Sequence, residues 1–322
     1  MDHHDSVRSI GEFGLIDLVT GRLPQGPGVA VGPGDDAAVI SAPDGRVVAT
    51  TDLLAEGRHF RREWSTPYDV GGKAAAQNLA DVAAMGARPT ALLVALALPA
   101  DLPVRWPLEL ADGLRDECAR VGASVVGGDV VRDNRIVVAA TALGDLAGRE
   151  PVLRSGARPG DVVAVAGTLG RSAAGLDLLE HAEASRAAGF EVLLGAHRRP
   201  QPPYDLALRA PAAGATAMID ISDGLLQDLG HVARASGVRI DLDLTALEPD
   251  VATLADAASL LGRDAVTWVL TGGEDHAFAA CLPATRLPEG WRVVGRVHQG
   301  TGVTVAGRKL GAVGGFDHFR NL

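Results

Sequence analysis

The segment KAAAQNLADVAAMGARP, residues 73–89, predicts a helix over residues 73–85 that ends at Gly86. The helix is mostly Ala, Leu, Val and Met, and it carries one polar edge formed by Gln77, Asn78 and Asp81. Such an edge can simply face solvent, but a solvated edge more usually carries Glu and Lys. We therefore interpret the edge as functional, with Asp81 as its most informative residue.

Strand and helix patterns alternate on both sides of this helix and predict a mixed α/β class in two halves. Short aliphatic stretches predict strands at 47–51, 92–98, 124–126, 136–142, 162–166, 215–221, 238–244, 266–270 and 277–281, with a late hairpin of 292–297 and 302–305. Amphipathic stretches predict further helices at 11–19, 107–121, 172–188 and 223–236. The Gly- and Pro-rich segment GREPVLRSGARPG, 148–160, predicts a domain junction, so that residues 1–148 and 149–322 form separate domains.

Composition excludes several classes of protein. The 322 residues carry a net charge of −10 without a visible basic patch, so we expect no nucleic-acid partner. No apolar run reaches the ~18–20 residues of a membrane span. The polar N-terminus lacks the apolar core of a signal peptide, so we expect no membrane association and a cytoplasmic location. Cys118 and Cys281 are the only cysteines, which excludes a disulfide framework and a four-cysteine zinc site.

Aspartates recur at turns and strand ends, where a lone carboxylate would be unfavourable to bury. They are Asp35, Asp36, Asp52, Asp81, Asp129, Asp220 and Asp223. Any one of them is explained by the frequency of Asp at turns and helix caps. Together, without matching Lys or Arg, they favour a site for hard divalent cations such as Mg²⁺, completed by phosphate.

Two transitions from strand to helix are candidate phosphate sites. Ser222 suits the N-cap and Asp223 the first turn of the helix predicted at 223–236, which is a sufficient structural explanation of both residues. The exposed start of the same helix is equally a phosphate site. The loop GTLGRS, 167–172, is a weaker candidate because it lacks the complete P-loop and dinucleotide patterns.

Three further positions leave two interpretations open. His59 follows a predicted strand and is either structural or a ligand, and Arg154 either binds a phosphate or is a solvated loop charge. The sequence GGED, 272–275, predicts a hairpin turn whose two acids remain open to a ligand role. No Gly-x-Ser-x-Gly elbow and no Cys/His pairing suggest covalent catalysis, so we expect no covalent nucleophile.

Taken in order, these segments resemble the thiamine-monophosphate kinase family, within the wider group of aminoimidazole ribonucleotide synthetase and selenophosphate synthetase. The matching blocks are GDDAA at 34–38, TTDLLAEGRHF at 50–60, KAAAQNLADVAAMGARP at 73–89, GGD at 127–129, RSGA at 154–157, DISDGL at 220–225, GGED at 272–275 and GFDHF at 315–319. Single blocks are weak evidence, whereas the ordered set covers nearly the whole chain and is specific.

The resemblance implies transfer of the γ-phosphoryl group of ATP to thiamine monophosphate, a phosphotransferase reaction that makes thiamine diphosphate. It also implies the two-domain aminoimidazole ribonucleotide synthetase-like fold, a homodimeric β-barrel built by the N-terminal domains, and a C-terminal α/β domain over the active cleft. Other ATP-dependent synthetases of this group and a non-catalytic metal–nucleotide sensor remain the alternatives.

The family's site residues carry over by match to this sequence. Several Mg²⁺ ions would be held by Asp36, Thr50, Thr51, Asp52, Asp81, Asp129, Asp220 and Asp223. ATP would contact Gly128, Asp129, Arg154 and Ser222, and thiamine monophosphate would contact His59, Glu274 and Phe316. One departure is Asp112, near which relatives often carry an aromatic nucleotide contact.

Overall fold

A computed structural model describes residues 6–33, 37–181, 183–184 and 188–308. The chain divides into two compact units, Met1–Val82 with Ala87–Arg149 and Ala83–Gly86 with Glu150–Leu322. Each unit combines helices with its own sheet, which confirms the mixed α/β class. Within the described ranges, no helix is both long enough and apolar enough to cross a membrane.

The first unit is built on a four-stranded sheet. In chain order its elements are α1 (Val7–Thr20), β1 (Val29–Val31), β2 (Val39–Ile40), β3 (Val48–Ala55), α2 (Pro67–Ala84), β4 (Arg88–Leu98), α3 (Arg105–Ala119), β5 (Ser124–Arg132) and β6 (Val137–Asp145). The sheet order is β3-β6-β4-β5, in which β4 and β5 run parallel and the other pairs antiparallel. Strands β1 and β2 form a separate antiparallel pair.

The two faces of this sheet differ because successive side chains of a strand point to opposite sides. One face, the inner face, is buried and includes Leu54 and Leu92, both with no exposed surface. The opposite face, which we call the outer face, exposes large apolar side chains. They are Leu53 at 52%, Leu93 at 38% and Val131 at 52%, and the strand register places them in neighbouring rows.

The second unit is built on a six-stranded sheet. Its elements are β7 (Val162–Ala166), α4 (Arg171–Glu180), α5 (Glu191–Arg198), α6 (Tyr204–Arg209), β8 (Ala217–Ile221), α7 (Leu225–Ser236), β9 (Arg239–Leu242), α8 (Leu244–Leu261), α9 (Ala265–Thr271), β10 (Ala277–Leu282), β11 (Arg292–His298) and β12 (Gly302–Val305). The order is β12-β9-β11-β7-β10-β8. Strands β7, β8 and β10 are buried along their whole length and form the centre of the core.

The strand predicted at 266–270 is wrong, because this segment forms helix α9. Its β-branched residues favour a strand, but the Asp264 side chain accepts a hydrogen bond from the N–H of Val266 at 3.0 Å and caps the helix. The GGED segment consequently joins a helix to β10, so the predicted hairpin turn is also wrong.

The late hairpin is wrong as well. Strands β11 and β12 exist near their predicted bounds, but β9 lies between them in the sheet. β12 pairs with β9 in parallel, whereas β11 pairs with β9 antiparallel. Strands β11 and β12 are close in sequence, which suggested that they pair with each other as a hairpin. In the structure each of them pairs with β9 instead.

Candidate active site

The polar edge of α2 lies against β3 in the first unit. The Thr50 hydroxyl donates to Oδ2 of Asp81 over 2.8 Å. The backbone N–H of Asp52 donates to Oδ1 of Asn78 over 3.0 Å, and Asn78 is fully buried. The edge therefore does not face solvent. Since Thr50 and Asp52 are two residues apart on β3, they lie on the same side of the strand as Asp81.

The sheet register separates Asp129 from this group. Strands β3 and β5 form opposite edges of the sheet, and the row that contains Asp52 ends at Gly128. Asp129 is the next residue, so by strand alternation it belongs to the outer face. A Cβ at Gly128 would collide with the carbonyl oxygen of Val94, which requires glycine at this position.

Thr51 makes hydrogen bonds within the sheet. Its hydroxyl donates to the carbonyl oxygen of Ala140 over 3.0 Å and accepts from the Thr141 hydroxyl over 3.1 Å. These contacts fix the Thr51 side chain beside the outer face, one residue away from Thr50 and Asp52.

His59 is held between the end of β3 and α2. Its Nδ1 accepts a hydrogen bond from the backbone N–H of Ala55 over 3.1 Å. The carbonyl oxygen of His59 accepts from Nζ of Lys73, a buried lysine, over 3.1 Å. Because a backbone N–H can only donate, the neutral imidazole must carry its hydrogen on Nε2. His59 therefore presents Nε2 as a donor, which suits an anionic group.

In the second unit, β8 leads into the segment that carries Asp220, Ser222 and Asp223. Helix α7 begins at Leu225 with Gly224 as its N-cap, so the predicted N-cap role of Ser222 is wrong. Gly224 has φ +119°, and a Cβ there would lie 2.6 Å from the carbonyl oxygen of Thr271. The chain needs this glycine to pass α9 before the helix starts.

Asp228 performs the capping instead. Its Oδ2 accepts from the backbone N–H groups of Asp223 at 3.1 Å and Gly224 at 3.0 Å. Asp228 is buried, and burial together with the negative charges of Asp220 and Asp223 raises its pKa to about 8. The Asp228 carboxyl group thus fixes the backbone of the segment that contains the predicted ligands.

Asp228 also belongs to a group with metal-binding geometry. The ligand atoms of Asp223, Asp228 and His231 all lie within 4.8 Å of one another. Burial lowers the pKa of His231, with further lowering by the charges of Arg154 and Arg234. Over the described part of the chain, this is the one group of three acidic, His or Cys side chains that is so close.

Asp228 and His231 were missed in the sequence analysis. A signal was present, since they are three residues apart on the helix that follows the DISDG motif and so share one face.

The GGED segment is joined to the DISDG segment through the backbone. Glu274 has φ +62° and donates its N–H to the carbonyl oxygen of Ser222 over 2.8 Å. A Cβ at Gly273 would lie 2.6 Å from that same oxygen, so the two segments approach as closely as glycine permits. Ser222 and Glu274 are therefore brought together.

Two buried acidic residues flank Glu274 and Ser222 in these segments. Asp220 Oδ2 lies 3.1 Å from Nδ1 of His276, and both side chains are almost completely buried. Asp275 accepts from the N–H groups of Gly170 at 2.5 Å and Ser172 at 2.9 Å. Burial raises the pKa of Asp275 to about 7. The loop at 167–172 thus binds a carboxylate of the protein itself at the N–H groups that were considered for phosphate.

Arg154 lies near the α7 group. Ser236, the last residue of α7, donates its hydroxyl to the carbonyl oxygen of Arg154 over 2.9 Å. The same hydroxyl oxygen accepts from the N–H groups of Gly156 and Ala157. After burial, the charge of Arg154 is the second cause that lowers the pKa of His231.

Asp36, Phe316 and Asp112 are the remaining positions named from the sequence. Asp36 and Phe316 lie outside the described residues. The Asp112 carboxylate forms ion pairs with Arg22 and with Arg115, the latter at 2.6 Å. These two arginines neutralise the charge of the Asp112 carboxylate.

Comparison with known proteins identifies the family. The AIR synthase related protein N-terminal domain matches residues 34–146, and the corresponding C-terminal domain matches residues 158–307. The thiamine-monophosphate kinase of Mycobacterium tuberculosis (strain ATCC 25618 / H37Rv) is 51% identical over 316 residues, which cover 98% of this chain and 93% of that protein.

Solved structures give the same result. The crystal structure of thiamine-monophosphate kinase from Stenotrophomonas maltophilia K279a aligns with a TM-score of 0.81 at 34% identity, over 92% of this chain and 96% of that one. AaThiL complexed with AMPPCP and TMP aligns with a TM-score of 0.80 at 34% identity, over 99% and 100%. This chain therefore belongs to the thiamine-monophosphate kinase family, within the AIR synthase related proteins.

Proposed function

We propose that this chain transfers the γ-phosphoryl group of ATP to the phosphate of thiamine monophosphate, producing thiamine diphosphate and ADP. Its 51% identity to a thiamine-monophosphate kinase over almost the whole of both chains carries the proposal. The complex of AaThiL with AMPPCP and TMP supports the same pair of substrates. The acceptor phosphate is already anionic near neutral pH, so the reaction depends on positioning and charge stabilisation more than on a protein nucleophile.

The properties of the two cysteines are consistent with direct transfer of the phosphoryl group, without a covalent intermediate on the protein. Burial raises the pKa of both Cys118 and Cys281 to about 12. Because the thiolate is the nucleophilic form, neither side chain is suited to covalent catalysis near neutral pH.

The proposed Mg²⁺ ligands fit the ion's preference for oxygen donors. We propose that several ions are held by Asp36, Thr50, Thr51, Asp52, Asp81, Asp129, Asp220 and Asp223. Thr51 and Asp129 are on the opposite face of the sheet from Thr50 and Asp52, so these two groups would hold different ions. Asp228 fixes the backbone that presents Asp223. When bound, Mg²⁺ neutralises phosphate charge and favours the developing charge of phosphoryl transfer.

The substrate contacts follow from the character of each side chain. Gly128, Asp129, Arg154 and Ser222 are proposed for ATP, with Arg154 as a cation for the phosphates. His59, Glu274 and Phe316 are proposed for thiamine monophosphate, and His59 offers its Nε2 hydrogen to the phosphate. Since carboxylate and phosphate repel each other, Glu274 is better suited to the cationic thiazolium or the amino group of the acceptor.

The test is ADP release with Mg²⁺, ATP and a panel of acceptors. We expect turnover with thiamine monophosphate and little with thiamine, which lacks the anionic oxygen that attacks ATP. Turnover with formylglycinamidine ribonucleotide or selenide, and none with thiamine phosphate, would instead identify a synthetase of the same group. ATP binding without turnover of any acceptor would identify a sensor.

The Nε2 hydrogen of His59 gives a prediction with matched variants. We expect His59→Ala to lower kcat/KM for thiamine monophosphate by roughly 10- to 100-fold, because one charge-assisted hydrogen bond is lost. His59→Gln should retain more activity than His59→Asn, since only the longer amide reaches the position of Nε2. Steady-state kinetics with each substrate varied in turn measures the effect, and equal activity of Gln and Asn variants would contradict the proposed contact.

We propose that residues 1–148 bind metal and ATP and dimerise, and that residues 149–322 complete the active cleft. The apolar outer face supports the homodimer, because an exposed apolar face on a sheet favours association. Its large members are Leu53, Leu93 and Val131.

We expect the protein to be a dimer by light scattering at micromolar concentration, and the double variant Leu93→Lys with Val131→Lys to be a monomer. Two charges would have to be buried without partners at the interface. Leu260→Lys is the matched control, because Leu260 is 53% exposed on α8 of the second unit. A wild-type monomer with full activity would refute the dimer, as would a double variant that stays dimeric.

A further inference from the structure

The hydroxyl of Ser236 uses its whole hydrogen-bonding capacity on one loop. It donates to the carbonyl oxygen of Arg154 over 2.9 Å, and it accepts from the N–H groups of Gly156 at 3.0 Å and Ala157 at 3.1 Å. A serine hydroxyl has one hydrogen to donate and two lone pairs that accept. All three are therefore used in bonds to residues 154–157, which we call the RSGA segment.

The end of α7 that carries Ser236 has a defined conformation. Gly237 has φ +66°, and its N–H donates to the carbonyl oxygens of Ala233 and Arg234, which closes the helix. The N–H of Val238 also donates to the carbonyl oxygen of Ala233, over 3.0 Å. The Ser236 side chain therefore projects from a fixed backbone.

The RSGA segment is held on its other side by β8 and the residue before it. The N–H of Met218 donates to the carbonyl oxygen of Leu153, which precedes the segment, over 3.2 Å. A Cβ at Gly156, where φ is +155°, would lie 2.2 Å from the carbonyl oxygen of Thr216. These contacts involve backbone atoms, whereas the three bonds from α7 all end at the one side-chain oxygen of Ser236.

These bonds have a purely structural explanation if they only hold the loop against the helix. The position of Arg154 indicates a further role, because its backbone lies between the contacts of Leu153 and Gly156 while its side chain is exposed. After burial, the charge of Arg154 is the largest cause that lowers the pKa of His231, five residues before Ser236 on α7. An arginine on a fixed backbone loses less conformational freedom when it binds a phosphate.

We propose that Ser236 is a positioning residue, whose hydroxyl holds the backbone of Arg154 so that its guanidinium binds the phosphates of the nucleotide. The inference rests on the ATP contact proposed above for Arg154 and extends it to the residue that orders this contact. Without the hydroxyl, the RSGA segment samples more conformations and must be ordered when the nucleotide binds. The effect belongs in the affinity for ATP, and KM for thiamine monophosphate stays nearly unchanged.

Binding of AMPPCP in the presence of Mg²⁺, measured by isothermal titration calorimetry, tests the proposal without requiring turnover. We expect Ser236→Ala to raise the Kd about five- to tenfold, because the segment must then be ordered on binding. Ser236→Thr should stay within about twofold of wild type, since it keeps the hydroxyl. Ser236→Val has the shape of the Thr variant without the hydroxyl, so it should bind as weakly as Ser236→Ala.

A double variant separates positioning from general support of the fold. In an Arg154→Ala background, Ser236→Ala should change the Kd by less than about twofold, as expected for coupled residues. Thermal unfolding without nucleotide should show the same loss of stability from Ser236→Ala in both backgrounds, because the hydroxyl bonds to backbone atoms of the segment. A purely structural role predicts no such difference between binding and stability.

Thr20→Ala is the matched control for loss of a hydroxyl at a helix end. Thr20 is the last residue of α1, as Ser236 is of α7. Its hydroxyl donates to the carbonyl oxygen of Ile16 over 2.8 Å, within its own helix. We expect this variant to bind AMPPCP like wild type.

Steady-state kinetics with each substrate varied in turn gives the second readout. Ser236→Ala should raise KM for ATP by a factor similar to the change in Kd, and KM for thiamine monophosphate should stay within about twofold of wild type. A parallel rise in both KM values would show a general disturbance of the site and overturn the proposal.

Failure of the proposed function and failure of this inference give different results. A wild type that binds AMPPCP but does not phosphorylate thiamine monophosphate overturns the function and leaves the binding comparison valid, whereas a wild type that does not bind AMPPCP overturns both. The inference alone is overturned if folded Ser236→Ala binds as tightly as wild type, if the Thr and Val variants bind equally, or if the effect persists in Arg154→Ala.

Ser236→Cys keeps the comparison possible if Ser236→Ala does not fold. Its thiol has a size similar to the hydroxyl but is a weaker donor and acceptor, so we expect the Kd to rise about threefold. Wild-type affinity in this variant would overturn the inference as well.

Discussion

Asp52→Asn is expected to lower kcat by at least about 100-fold, because it removes a negative charge from a site whose catalysis is electrostatic. The amide of the variant has nearly the same shape as the carboxylate. The hydrogen bond from Asp52 to Asn78 is donated by the backbone N–H, so the substitution does not remove it. The variant therefore changes charge with little change in packing. Chelation of divalent cations should abolish wild-type turnover in the same assay, and added Mg²⁺ should restore it.

Asp101→Asn is the matched control for this measurement. Asp101 is an exposed aspartate of the first unit, in the turn after β4. We expect this variant to keep wild-type kcat, so that a loss in Asp52→Asn is not a general effect of reduced negative charge. A folded Asp52→Asn protein with near wild-type turnover would disprove the metal-site proposal for β3.

The second large effect concerns the stability of the metal-free protein. The folded-state pKa of Asp228 is raised from 3.8 to about 8. Below about pH 4, Asp228 is protonated in the folded and in the unfolded protein. Its burial then costs no free energy of ionisation. As pH rises from about 4 to about 8, the unfolded chain releases this proton while the folded protein retains it, so stability falls by about 1.4 kcal/mol per pH unit.

Asp228→Asn keeps an oxygen that can accept from Asp223 and Gly224 but does not titrate. We expect the variant to become progressively more stable than wild type as pH rises, by roughly 2–3 kcal/mol between pH 6 and pH 8 and by on the order of 5 kcal/mol over the whole range. Urea unfolding at several pH values in the absence of metal measures the difference. Added Mg²⁺ should reduce it, because a nearby cation favours the ionised wild-type carboxyl.

Asp256→Asn is the control for the stability measurement. Asp256 is exposed on α8. The stability difference between this variant and wild type should stay constant over the same pH range. A constant difference for Asp228→Asn would show that Asp228 is not held protonated in the folded state.

The pattern of apolar and polar residues correctly predicted the elements whose apolar residues are the buried ones. Strand β7 has its predicted bounds, since five consecutive aliphatic residues that are all buried can scarcely be anything but a core strand. Helix α9 was misassigned because one capping aspartate, Asp264, outweighed four residues of strand-like composition. Sheet order was inaccessible, since the pairing of β12 with β9 joins segments about 60 residues apart, and no local pattern encodes it.

In the candidate site, too, local sequence patterns predicted some residues and missed those whose role depends on contacts. The polar edge of α2 was predicted from its composition, because Asn78 and Asp81 are unusual in an alanine-rich helix. The role of Asp228 depends on hydrogen bonds from the backbone N–H groups of Asp223 and Gly224, which the composition of its helix does not reveal. Placement of Thr50 against Asp81 needed the strand register as well as the motif.

The position of β9 between β11 and β12 determines when the second unit's sheet can be completed during synthesis of the chain. The first unit's sheet contains its last strand once residue 145 has been made. The second unit's sheet starts with β7 at residue 162 but lacks an edge strand until residue 305. Until then one side of β9 has unpaired N–H and C=O groups, which is the kind of strand edge that recruits other chains. Ribosome-bound or prematurely terminated chains that end before β12 are therefore the form of this protein most exposed to aggregation.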